Sequence, residues 1–110
     1  MKVAVSARGS TLESGIDSRF ARCAYFIVYD TDTDEWEAYE NTIAAERGGV
    51  GTRNSQFLIS KGCGAVITAG NVGPNAMSVL KASGVKCYGT DAKSVKEAIE
   101  LFKEGKLQEI

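Results

Sequence analysis

The 110-residue sequence contains no histidine. That absence removes Ser-His-Asp and Cys-His nucleophile chemistry and the commonest zinc ligand. Its three cysteines, Cys23, Cys63 and Cys87, are an odd number, stand far apart and form no C-x-x-C pair. Such usage excludes a disulfide scaffold, leaves no paired zinc-ligand spacing and fits a reducing compartment. No stretch approaches the roughly 20 apolar residues that span a bilayer, and the apolar run at Met1–Val5 is too short for a signal peptide. No membrane role and a cytoplasmic location are therefore expected. An excess of one charge is also missing: the formal net charge of -1 gives no footprint for nucleic acid, so any anion must be held locally. No P-loop or dinucleotide fingerprint is present.

What is present fits one domain over residues 1–110, a length at which folding buries roughly 65% of the unfolded chain's surface. Lys2 to Ala7 reads as a short strand, Ala24 to Asp30 as a buried one, and Glu35 to Glu40 as a charged edge strand completing a hairpin. The intervening Asp30, Asp32 and Asp34 imitate the start of a calcium loop. Glu35 stands where that loop needs its glycine and Asn41 where it needs its bidentate glutamate, so a solvated turn is the better reading. An αβαβα pattern follows. Thr52 to Lys61 is a helix stopped at Gly62, Ala65 to Ala69 a strand, and Pro74 opens a helix closed by Gly84. Val85 to Tyr88 is the last expected strand, and Ser94 to Glu97 has capping-box form at the head of a helix ending near Gly105.

Three glycine-rich or short polar stretches stand immediately before helices: Gly48–Thr52, Gly70–Pro74 and Gly89–Asp91. Parallel strands and right-handed crossovers would bring all three helix N-termini to one sheet edge, where free N–H groups and helix dipoles favour an anion. Open α/β sheets bind ligands at that carboxyl edge. The same reasoning places the loop Arg8 to Arg22 and Cys23 there, and puts Cys63 on the opposite edge.

Arg19-Phe20-Ala21-Arg22-Cys23-Ala24-Tyr25-Phe26 resembles the His-Phe-Gly-Arg-x-x-Phe signature of the dinitrogenase iron-molybdenum cofactor biosynthesis family. That family includes NifX-type and NifY-type proteins and the C-terminal domain of NifB. Asn41, Gly48–Gly51, Gln56–Leu58, Ile67–Ala76, Leu80 and Gly84–Lys86 also resemble family positions in family order. The resemblance implies an α/β/α ribonuclease H-like fold with a five-stranded mixed sheet. It also implies a non-enzymatic protein that binds, carries or stores an iron-sulfur or iron-molybdenum type cluster. Two positions depart from the pattern: Arg19 replaces a histidine that is a candidate ligand, and Ala21 replaces a glycine. Guanidinium stays protonated and cannot donate to iron, but it can pair with an anionic cluster.

Cys23 is then the soft metal ligand nearest the edge, and Arg19 and Arg22 are expected to lower its pKa. Arg8, Arg19 and Arg22 supply counter-charge; Gly49, Gly51, Thr52, Asn71 and Gly73 supply backbone donors; Asn41 supplies an amide at the rim. Partners would be the metal cluster and the proteins that deliver and receive it, with the chain itself a monomer. The competing reading is a small enzyme or sensor of a phosphorylated or carboxylated metabolite at the same edge. A magnesium-dependent nuclease is a poor form of it, because Val3-Ala4-Val5-Ser6 lacks the required aspartate.

Overall fold

The computed structural model describes residues 1–110. In chain order its elements are β1 (Lys2–Ala7), β2 (Tyr25–Asp30), β3 (Trp36–Glu40), α1 (Val50–Ser60), β4 (Cys63–Thr68), α2 (Pro74–Ala82), β5 (Lys86–Gly89), α3 (Val95–Lys103) and β6 (Gln108–Glu109). They form one mixed sheet in the order β3-β2-β1-β4-β5-β6. β1, β4 and β5 run parallel, whereas β2, β3 and β6 each pair antiparallel to their neighbour. The sheet thus has six strands, which corrects the expected five. Gln108 and Glu109 lack the apolar alternation that betrays a strand; the backbone ladder to Tyr88 and Gly89 recruits them.

Period-two alternation distributes side chains to two cores. Ala4, Phe26, Val28, Val66 and Cys87 face α1 and α2, packing with Leu58, Ala76 and Leu80. Val3, Val5, Ile27, Ala65 and Ile67 face α3 and meet Val95, Ala98 and Ile99. The result is a three-layer α/β/α arrangement with α1 and α2 on one face and α3 on the other.

The chain between β1 and β2 is fixed by backbone bonds. Arg8 N–H donates to the Gly15 carbonyl, and Asp17 N–H donates to the Ser6 carbonyl. The Ser6 hydroxyl returns a bond to the Asp17 carbonyl at 2.8 Å, and Thr68 donates to the same oxygen at 3.3 Å. These contacts press the following residue, Ser18, onto the end of β4. A methyl group added at Gly70 would lie 2.3 Å from the Ser18 carbonyl oxygen, so glycine is required there by contact rather than by backbone angle. Gly70→Ala is therefore expected to destabilise the protein by ~1–3 kcal/mol, the usual cost of overpacking. Gly64→Ala, whose new methyl would meet only the flexible Met1 side chain, should change stability much less. Thermal unfolding of the two variants makes the comparison; equal effects would refute the close-contact explanation.

Candidate functional site

Helix α1 begins after Gly48 and Gly49, both with left-handed φ of 70° and 68°, a conformation that disfavours residues with a Cβ. Gly49 is its N-cap, Gly73 is the N-cap of α2, and neither helix receives a side-chain cap or carries an acidic residue in its first turn. The first turns therefore keep their orphan N–H groups: Gly51 and Thr52 in α1, Asn75 and Ala76 in α2. Gly51 allows the two turns to touch, since a Cβ there would stand 3.3 Å from Ala76 Cβ and 3.5 Å from Ala21 Cβ. Between them lies an open hollow of about 200 Å³, lined by Gly49–Thr52 and Val72–Ala76. Two uncapped first turns, each at the positive end of a helix dipole, line it together.

The N-terminus of α3 also lies at this edge, against the loop that follows β1, but its N–H groups are not free. Ser94 caps α3 by accepting from Glu97 N–H, while Val95 and Lys96 donate to the carbonyls of Ser14 and Leu12. Its donors are spent, and it packs on the other face of the sheet.

The residues around Cys23 are stitched rather than open. The buried Asn41 donates from Nδ2 to the carbonyls of Ala21 and Cys23, both at 2.9 Å, and Asn54 donates to the Ala21 carbonyl at 3.0 Å. Arg22 donates from Nη1 to the carbonyls of Ala44 and Glu46. Cys23 is fully buried and its thiol donates to the Tyr25 carbonyl at 3.3 Å. Burial, then the negative charge of Asp17, pushes this thiol up to about 12. That corrects the expected lowering by Arg19 and Arg22, whose guanidinium groups are engaged elsewhere. Burial likewise pushes Cys63 up to about 11 and raises Cys87. All three cysteines are free, and no group of three or more metal-ligating side chains is assembled.

Arg19 grips Asp17 with Nε at 3.1 Å and Nη2 at 3.0 Å, and its backbone N–H adds a third bond to the same carboxylate. Burial pulls the Asp17 carboxyl upward, but these bonds and the charges of Arg19 and Arg8 outweigh it and hold it below the ordinary 3.8. The Asp17 side chain is 4% exposed while that of Arg19 is 68% exposed, so the pair presents its cationic end to solvent. Arg8 and Asn71 are also exposed. The structure thus brings Gly49, Gly51, Thr52 and Gly73 to one hollow, and uses Asn41 and Arg22 to secure the neighbouring loops. Asn54 was not anticipated. Its signal is its position one turn before Leu58, a polar residue on the apolar stripe of α1.

The fold is a three-layer α/β/α domain whose α1 and α2 begin uncapped at the carboxyl edge of its sheet, the edge where open α/β sheets bind ligands. The family described as "Dinitrogenase iron-molybdenum cofactor" matches residues 1–105, and the chain belongs to that family. An uncharacterized protein of Methanocaldococcus jannaschii is 34% identical over 98% of this chain and 90% of its own. Among solved structures, the apo form of the orange protein from Desulfovibrio gigas is similar with a TM-score of 0.92 and 32% identity, covering 99% of this chain and 92% of that one. A candidate NifB protein from Thermotoga, solved by NMR, is similar with a TM-score of 0.86 and 46% identity over 98% of this chain and 91% of that one.

Two outcomes test the site. Thr52→Glu adds a carboxylate to the first turn of α1, so it should raise stability by ~0.3–1 kcal/mol through the helix dipole while weakening oxyanion binding. Chemical denaturation paired with a phosphate titration followed by NMR reads both; loss of stability or unchanged binding would contradict the site. Because the folded Asp17 carboxyl titrates below its unfolded value of 3.8, its contribution is present above that pH and is lost as pH falls through the lower folded value. Asp17→Asn should therefore be less stable at neutral pH and should lose part of the acid-induced fall seen in the wild type.

Proposed function

We propose that this protein binds and carries an anionic iron-sulfur or iron-molybdenum type cluster without catalysing a reaction on it. The observation that carries the reading is the pair of uncapped helix N-termini facing one hollow, in a chain that belongs to the iron-molybdenum cofactor family. The donor set suits such a cargo in a particular way. Backbone N–H groups and guanidinium charge recognise the sulfide and oxide periphery of an anionic cluster; they do not coordinate its metals. The N–H groups of Gly51, Thr52, Asn75 and Ala76 bind the cargo, Gly49 and Gly73 shape their approach, and Asn71 lies at the rim. Arg8 and Arg19 contribute positive charge from the adjacent loop.

Cys23 enters as a metal ligand only after the segment from Arg19 to Cys23 lifts, since its thiol is enclosed and protonated in this state. Arg22 and Asn41 hold that segment closed, so their part is to set how readily it opens. Such a protein receives its cargo from one protein and passes it to another, working as a monomer. The α/β/α layers and mixed sheet support the ribonuclease H-like description, with β6 as an added edge strand.

Anaerobic reconstitution with iron, sulfide and molybdate, followed by gel filtration, metal analysis and visible absorption, tests the reading. A chromophore should stay with the protein, and Thr52→Glu should reduce its retention about tenfold, the effect of roughly 1.4 kcal/mol. Cys23→Ser should lower retention further than Cys63→Ser, because Cys63 stands at the far end of β4. A colourless protein whose α1 and α2 amides respond to inorganic phosphate would instead support the metabolite-sensing alternative.

A further inference from the structure

The sheet ends on one side at β3, five residues long, and on the other at β6, only two residues long. Asp30 N–H donates to the Glu35 carbonyl and Asn41 N–H to the Ala24 carbonyl, which fixes the phase of the β2–β3 ladder. By antiparallel alternation Glu35, Glu37 and Tyr39 turn their backbone groups toward β2. Trp36, Ala38 and Glu40 turn theirs outward, with no strand to receive them.

The same segment concentrates charge of one sign. Between residues 30 and 40 stand Asp30, Asp32, Asp34, Glu35, Glu37 and Glu40, six of the 14 acidic residues in the chain, with no lysine or arginine among them. Asp34 is paired with Lys103 at 2.7 Å, and Asp30 and Asp32 with the N-terminal ammonium at 3.7 and 2.7 Å, whereas Glu35, Glu37 and Glu40 are exposed and make no salt bridge. Beside this edge lies a hollow of about 410 Å³ on the α1/α2 face, lined by Val28 and Tyr39 with Asp30, Glu35, Glu37 and Lys2. Trp36 is 38% exposed, one of three large apolar residues left at the surface. An open strand edge, an exposed Trp36 on one face and the unpaired carboxylates of Glu35 and Glu37 on the other thus coincide.

We propose that β3 docks a basic, extended segment of a partner protein, which joins the sheet as a further antiparallel or parallel strand. Main-chain bonds to Trp36, Ala38 and Glu40 supply the pairing, and charge complementarity supplies the choice of partner. Alternation sets the partner's pattern. Its side chains on the α1/α2 side meet Glu35 and Glu37 and are basic; those on the α3 side meet Trp36 and Ala38 and are apolar. A second copy of this chain is disfavoured at the edge, because self-pairing would align the two acidic segments. The surface is separate from the hollow at the α1 and α2 N-termini, and its docking role does not depend on what that hollow binds.

The test uses 15N-labelled, metal-free protein and the end-blocked hexapeptide Lys-Val-Lys-Val-Lys-Val, with Glu-Val-Glu-Val-Glu-Val as its counterpart. At saturation and low salt the basic peptide should slow hydrogen exchange of the Trp36, Ala38 and Glu40 amides ~10-fold or more, while the Glu37 amide, already paired with β2, changes little. Raising salt to about 0.5 M should weaken binding ~5-fold or more through screening. The double variant Glu35→Gln, Glu37→Gln should weaken it about as much at low salt. Ala38→Pro removes the central outward N–H at a position where an edge strand tolerates proline, and should abolish the protection while the remaining spectrum stays folded. Should that variant unfold, the exchange pattern of the wild type decides alone. Binding without protection of the three outward amides, equal binding of the acidic peptide, or a β3-mediated dimer in the peptide-free protein would each overturn the proposal.

Discussion

The site edge of the molecule depends on the amide bonds that Asn41 and Asn54 make to the carbonyls of Ala21 and Cys23. These carbonyls belong to a segment without regular structure, and burying them unpaired would cost ~1–3 kcal/mol each. The two asparagines satisfy them and draw the segment onto α1, which places Ala21 against Gly51 and encloses Cys23. Gly51 in turn lies against Ala76, so the relative position of the two helix N-termini rests on the same few contacts. Asn41 Oδ1 itself is buried and accepts no bond from the protein.

The first turns of α1 and α2 forgo a stabilisation that α3 keeps. Capping side chains and first-turn acids would stabilise α1 and α2, yet both are absent from both helices. Helix α3 has a serine cap, a first-turn glutamate and two donors committed to backbone carbonyls. The three helices of one small domain therefore divide into one whose N-terminus is closed and two whose N-termini stay available. A purely structural domain would gain by capping all three.

Much of this was legible in the sequence because the signals were local. Alternation located the strands within a residue or two, Pro74 marked the start of α2, and Ser94 with Glu97 marked the cap of α3. The glycines before α1 and α2 identified the hollow, since left-handed φ and close helix contact are demands that few residues other than glycine can meet. The failures were all non-local. Leu12 and Ser14 cap α3 from a remote loop, so nothing near Ser94 showed that its helix was unavailable. Arg19 and Arg22 stand beside Cys23 in sequence, but Asp17 and the Ala44 and Glu46 carbonyls engage them, and sequence proximity gave the wrong electrostatics for the thiol. β6 was invisible because an edge strand of two polar residues has no pattern of its own.

The bonds from Val95 and Lys96 to the Ser14 and Leu12 carbonyls have a mechanical meaning. The segment between β1 and β2 is anchored at its near end to the first turn of α3, on one face of the sheet. At its far end Ala21 is anchored to Asn54 in α1, on the other face. It acts as a tie-rod passing over the carboxyl edge, with a helix at each end and the Asp17–Arg19 pair near its middle. A displacement of α1 at its N-terminal half is thereby linked through continuous backbone to the first turn of α3, and two faces of a sheet that share no side-chain core are tied together.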